Sequence, residues 1–266
     1  MVRRPPCLNW LTKRVKLTVA YDGTDFCGWA AQSGLRTVQS TLKEAVRQIS
    51  GEDCEIVGAS RTDSGTHARG QVCHFDIVST MPAEKWVGVM NRRLPADVRI
   101  VRSNFVSERF HSRFSAVDRW YRYSILKDDS DPFRMRTGFA QRRPLDLRAM
   151  KQAAGDLTGL HDFLAFTEEL DPSVENTVRR LFAVEVSETK TDVRIDVIGT
   201  AFLRGMMRRM AGCLYEIGRG AYSPERVKAL LGPEREQFEW PVVLPAHGLT
   251  LMRVRYGRHL VDHRTK

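Results

Sequence analysis

The order of the chain's apolar patterns constrains its fold more than any other feature. Residues 15–21 alternate apolar and polar with the period of a strand. Val38, Leu42, Ala45, Val46 and Ile49 then recur at helical spacing, with Thr37 placed to cap the helix and Gly51 to end it. Strand-like runs at 54–57 and 71–77, a helix with proline near its start at 82–94 and a strand at 98–105 complete the series β-α-β-β-α-β. The same order returns with longer connections: a strand at 114–126, a helix from a cap at Asp146 to residue 157, and a hairpin of 179–187 and 193–201. Helices at 204–217 and 224–231, the second with Ser223 as cap, and a strand at 249–256 close the chain. β-α-β-β-α-β is the ferredoxin-like unit. Two such units predict an α+β protein with antiparallel sheets, helices on one face and a basic cleft between the units where a ligand binds. The halves share an order of elements and no sequence similarity. The reading divides the chain into a basic extension at 1–14, a first unit at 15–110 and a second at 111–266, with residues 127–144 as the longest loop.

Composition narrows the partners. The 266 residues carry a net charge of +10, and the excess is clustered: +5 over residues 1–16, +3 over 102–122, +3 over 203–219 and +4 over 253–266. Clustered basic charge points to a polyanion without saying which. The longest run free of Lys, Arg, Asp and Glu, 240–252, is 13 residues long, too short to span a bilayer. The first 14 residues contain no apolar core of a signal peptide and read as a short extension. Cys7, Cys27, Cys54, Cys73 and Cys213 are odd in number and lack metal-ligand spacing, and the histidines form no ligand pair. Reduced thiols in a cytoplasmic protein, with no metal, no cofactor and no membrane contact, are the expectation.

The chemistry concentrates in residues 58–76, GASRTDSGTHARGQVCHFD. Asp63 sits between two predicted strands, two residues after Arg61 and two before a glycine. A cation so close can keep a carboxylate ionised, and an ionised carboxylate at a cleft can act as nucleophile on a sugar C1′ or as a base. The same four residues, Thr62 to Gly65, also suit an ordinary turn. Tyr121 shares a strand face with Tyr123 and Ile125, as a core aromatic would, and Arg208 lies nearly opposite the apolar stripe of its helix, as a solvated charge would.

The segment closely resembles the Gly-Arg-Thr-Asp-Ala-Gly-Val-His-Ala signature of the tRNA pseudouridine synthase A family. The resemblance runs from about Lys16 to Tyr256. It includes Tyr21-Asp22-Gly23, Gly28-Trp29, Thr37-Val38-Gln39, Phe110-His111-Ser112-Arg113-Phe114, Tyr121-Arg122-Tyr123, His161-Asp162-Phe163, residues 199–208 and Ala246-His247-Gly248-Leu249. Departures occur at Ser60, where the family usually has Gly, at Ser64 and Thr66, at Ala30 and at Ser112. A glycine at position 60 would allow positive φ or close approach, so Ser60 bears on the local backbone.

The resemblance implies that Asp63 is catalytic, that Arg61 and Arg208 hold it, that Tyr121 stacks on the target base and that Leu249 lines the base pocket. His67 and Arg113 are implied as substrate contacts, His67 being structural or RNA-contacting and not catalytic. It implies isomerisation of uridine to pseudouridine in the anticodon stem-loop of tRNA, at about positions 38 to 40, recognised by RNA shape. It further implies a homodimer bridged by tRNA. A non-catalytic RNA-binding protein or RNA chaperone of the same fold, and an RNA glycosylase, are the rival readings.

Overall fold

The computed structural model describes residues 12–168 and 176–257. Most of the proposed N-terminal extension, and the basic residues from 258 onward, lie outside the described residues. Among the described residues, ten strands and six helices form a mixed α+β protein: β1 (Thr12–Tyr21), α1 (Val38–Ser50), β2 (Val57–Gly58), β3 (His67–Val78), α2 (Lys85–Asn91), β4 (Val98–Val106), β5 (Ala116–Leu126), α3 (Pro132–Met135), β6 (Phe139–Ala140), α4 (Leu147–Leu157), β7 (Gly159–Asp162), β8 (Val178–Glu188), β9 (Asp192–Gly199), α5 (Met206–Gly218), α6 (Arg226–Leu231) and β10 (Leu249–Tyr256).

The strands make one sheet in the order β4-β1-β3-β10-β5-β9-β8-β7, with β2 added on β3 and β6 on β5. The expected antiparallel sheets are thus one mixed sheet, because β10 runs parallel to β3 (Thr250 opposite His67, Leu251 opposite Ala68) and β6 parallel to β5. The physical reason lies in β2. Expected at 54–57, it is only two residues long and pairs with His74 and Cys73 of β3, which leaves the start of that edge free for β10 to pair with His67 and Ala68.

Alternation holds along β1, where Val15, Leu17 and Val19 are fully buried while Arg14, Lys16 and Thr18 face the other side and are partly exposed. One continuous core cluster joins these residues to Phe75 and Ile77 of β3, Tyr121, Tyr123 and Ile125 of β5, and Met206, Met210 and Leu214 of α5.

Local signals account for several boundaries. The Thr37 hydroxyl accepts from Ser40 N, the Ser40 hydroxyl accepts from Thr37 N, and Gly51 ends α1 in the left-handed region. Asp146 caps α4 by accepting from the backbone N–H groups of Arg148 and Ala149. Elsewhere the structure differs. α2 begins only after a turn closed by Lys85 N to Pro82 O. α6 begins at Arg226, and Ser223 contributes its backbone carbonyl to Arg226 N in place of a side-chain cap. The expected loop at 127–144 holds α3 and β6.

His74 of β3 is buried, and its Nδ1 lies 2.8 Å from the Ser112 hydroxyl. Burial, with Arg14 and His111 nearby, pushes its pKa down to about 4. An imidazole whose folded pKa lies below its unfolded value of about 6.5 stabilises the fold above that value and loses this contribution as pH falls. Urea denaturation is therefore expected to show stability dropping by roughly 1–3 kcal/mol between about pH 6.5 and pH 4, with a shallower slope in His74→Gln.

Candidate active site

Asp63 is held by a turn that the sequence dictates. Thr66 N donates to Asp63 O at 3.1 Å, and Gly65 takes φ +79°, a conformation that strongly favours glycine. The turn rests on the loop after β1: Trp29 N donates to Thr62 O at 3.0 Å, Gly65 N to Phe26 O at 3.2 Å, and the Thr62 hydroxyl lies 2.8 Å from that of Tyr21. A side chain on Gly28, itself at φ +82°, would lie 2.7 Å from Thr62 O. The two sequence segments 21–29 and 58–67 are thus a single interlocked structure, which is why both are needed to present one carboxylate.

The cation that meets Asp63 comes from 145 residues away. Arg208, on α5, places Nη1 at 3.4 Å from Asp63 Oδ2 and at 3.2 Å from Glu168 Oε1. Its Nε donates to Leu244 O at 2.7 Å, so the guanidinium is braced as well as paired. The helical pattern that set Arg208 apart from the apolar stripe is correct, and the open side of that helix faces Asp63. Arg61 differs from the sequence reading: it is exposed and makes no ion pair among the described residues. Residues 61–63 lie outside any strand, in the chain that leads into the turn at Gly65, so spacing along the sequence does not set a common direction: Arg61 is turned outward, Thr62 is buried and Asp63 meets Arg208.

Tyr121 lies on β5, opposite Leu251 of β10 and Val197 of β9. Its ring is 4% exposed and meets the Phe202 ring edge-on at 4.9 Å. Burial raises its pKa to about 12, so the phenol is protonated at neutral pH. Its hydroxyl lies 2.7 Å from that of Ser60. No non-glycine residue has positive φ among the described residues, so serine fits the backbone at position 60 and adds a hydrogen bond to Tyr121. Ser60→Ala is expected to cost about 1–2 kcal/mol in urea denaturation. The cost should vanish in a Tyr121→Phe background, because the two hydroxyls serve each other.

Leu249 opens β10 and is buried opposite Tyr123. His67 opens β3 at the seam with β10 and is buried. Its Nδ1 accepts from Gly23 N at 3.0 Å and lies 3.2 Å from Asp22 Oδ1, and burial lowers its pKa. Its place is inside the support of the loop that presents Asp63, with its side chain almost fully buried. Arg113 is exposed in the β4–β5 connection.

Two residues that the sequence did not single out complete the surroundings. Glu168 shares Arg208 with Asp63, and the Gly205 backbone needs its missing Cβ to accommodate it, since a Cβ there would lie 2.4 Å from Glu168 Cγ. Arg119, 7% exposed, donates to three carbonyls from three segments: Thr200 O at 2.5 Å, Ala59 O at 3.1 Å and Arg113 O at 2.8 Å. Nothing in its local pattern marks it, but its place two residues before Tyr121 on the same face of β5 does. The structure brings together Asp63, Arg208, Glu168 and, beside them, Ser60 and Tyr121; it leaves Arg61 and Arg113 at the surface.

A loop-borne aspartate between two strands, paired with a distant arginine beside a buried tyrosine, is an arrangement that an enzyme acting on a sugar or a base could use, and comparison with known proteins gives the family. The chain belongs to the tRNA pseudouridine synthases: the family model matches residues 17–115 and 153–257. Asp63, Arg61, His67, Arg113, Arg208 and Leu249 fall inside the matched segments, and Tyr121 falls between them. Among individual relatives, the tRNA pseudouridine synthase A of Maridesulfovibrio salexigens is 40% identical over 92% of this chain and 91% of its own length. That of Syntrophotalea carbinolica is 41% identical over 91% and 96%. That of Akkermansia muciniphila is 40% identical over 95% and 98%.

Proposed function

We infer that the protein isomerises uridine to pseudouridine in tRNA, with Asp63 as the catalytic carboxylate. The observation that carries this reading is the Asp63–Arg208 pair at 3.4 Å in a chain of this family. The reaction is an isomerisation: the N1–C1′ bond breaks, the uracil turns, C5–C1′ forms, the C5 hydrogen leaves to solvent and N1 takes a proton. Asp63 either attacks C1′ or removes a sugar proton, and both routes begin from a carboxylate balanced by Arg208. Burial keeps the Tyr121 phenol protonated, so it acts as a hydrogen-bonding and stacking group. To receive a base, its ring must be uncovered, and Phe202 is the side chain that yields. Leu249, at the head of β10 and across from Tyr123 of β5, lines the base pocket in this reading. Arg61 and Arg113, both exposed, suit phosphate contacts better than contact with the carboxylate.

The target reading is the anticodon stem-loop, at about positions 38 to 40, with the base leaving its stack at a cost of a few kcal/mol that phosphate contacts along the basic segments offset. A homodimer bridged by tRNA and a cytoplasmic location belong to the same reading; no helix among the described residues is long and apolar enough to cross a membrane. The strand orders β4-β1-β3 with β2 at the far edge of β3, and β10-β5-β9-β8, support two ferredoxin-like units. They would meet at the β3–β10 seam beside Asp63, with the boundary near 107–112 and the site in the cleft between them. Reverse transcription of carbodiimide-treated tRNA after incubation with the enzyme tests the assignment. Stops at about positions 38 to 40 support it. Free uracil in place of such stops identifies a glycosylase, and tRNA binding with neither product identifies a binding protein.

A further inference from the structure

We propose that the stacked His111–Phe114 pair is a docking platform for an unpaired nucleobase of the RNA, separate from the pocket that takes the reacting uridine. Phe114 is 77% exposed, yet it is not loose: its ring lies on that of His111 with centroids 4.4 Å apart and planes 29° apart. His111 is itself fixed, since its Nδ1 accepts from both Arg113 N and Phe114 N at 3.2 Å. The Ser115 backbone and hydroxyl close the same turn, Ser115 N to His111 O at 2.9 Å and His111 N to the Ser115 hydroxyl at 2.9 Å. The outer face of Phe114 is therefore presented ready-made, so that a planar ligand can stack on it with little ordering cost. Phe133 is more exposed still, at 89%, but has no ring partner among the described residues and offers no such fixed plane.

The platform is tied to the catalytic segment. The Ser112 hydroxyl donates to Val57 O at 2.6 Å, and Arg119 joins Arg113 O to Ala59 O, two residues before Arg61. Charge selects the partner class. The Arg113 guanidinium lies 5.6 Å from the Phe114 centroid, and Arg109 is exposed in the same connection, so an aromatic plane is flanked by cations. That combination suits a base with its phosphate better than an apolar protein surface, because stacking on aromatic residues is tolerant of base identity while the arginines take the backbone.

The inference rests on the tRNA reading only for the identity of the RNA, and its test does not need turnover. Filter binding of an unmodified tRNA transcript is compared for wild type, Phe114→Ala, Phe114→Leu and Phe114→Trp at two salt concentrations. Loss of one stacked base corresponds to about a 5- to 150-fold weaker Kd. Phe114→Ala should show that loss with an unchanged salt slope, Phe114→Leu should recover little and Phe114→Trp most or all. An anticodon stem-loop with 2-aminopurine at each unpaired loop position in turn should be quenched by wild type at one position and not by Phe114→Ala. Equal binding by Phe114→Ala, full recovery by Phe114→Leu, or quenching that persists in Phe114→Ala would overturn the platform. So would a changed sedimentation mass in Phe114→Ala, which would make this face a contact between copies. Failure of wild type to form pseudouridine while Phe114→Ala loses binding would sink the reaction and leave the platform standing.

Discussion

Asp63→Asn is expected to leave the protein folded and bound to tRNA while pseudouridine formation falls by at least about 1,000-fold. The side chain keeps its shape, so the turn closed by Thr66 N and Asp63 O is preserved. What is lost is the charge and the basic oxygen, on which both candidate roles depend. Single-turnover rates and filter binding measured on the same preparation separate the two. A variant that lost binding and rate together would place Asp63 in the support of the loop and not in the chemistry.

Arg208→Met should be the next most damaging change. It removes a guanidinium that holds Asp63 and Glu168 at once and donates to Leu244 O. Two carboxylates are then left facing one another without their shared cation. Charge-assisted hydrogen bonds are worth roughly 1.5–3 kcal/mol, or about 10- to 150-fold in rate if the contribution is felt in the transition state. Glu168→Gln in the same background relieves the repulsion and should recover part of the loss, which a merely structural role for Arg208 would not allow. Rates for the two single variants and the double variant form the cycle that decides this.

Much of the site was legible one residue at a time, and its pairing was not. The turn at Asp63 follows from Thr-Asp-Ser-Gly, and Gly65 does take the left-handed conformation that such a turn needs. The partner of Asp63 shows how far local reading reaches. Arg61 is near in sequence and turned away in space; Arg208 is distant in sequence and meets the carboxylate, because α5 packs against β5 and α4 and its first turn reaches the loop that carries Asp63. Only the family resemblance pointed to Arg208. The caps Thr37 and Asp146 located α1 and α4 because a helix end has an unpaired backbone donor that a particular side chain must satisfy. β3 was harder. His67 to Gly70 look like a polar loop, but they are strand, since β1 lies on one side of them and β10 on the other. Burial by neighbours decides such a segment, and no local pattern encodes it.

Two of the departures from the family pattern have structural uses in this chain. Ser60 bonds to the Tyr121 hydroxyl, and Ser112 joins His74 to Val57 O. At position 60 a smaller residue would leave the buried Tyr121 hydroxyl without this partner, whereas His74 Nδ1 also accepts from the Ser112 backbone N–H at 3.3 Å.

The most direct measurement is release of tritium from an unmodified tRNA transcript labelled at uridine C5. Bond formation between C5 and C1′ expels that hydrogen, so wild-type enzyme should release label to water in step with pseudouridine formed, and Asp63→Asn should release none above background. Wild type that binds the transcript and releases no label, or Asp63→Asn that releases it at the wild-type rate, would contradict the assignment of the reaction to this carboxylate.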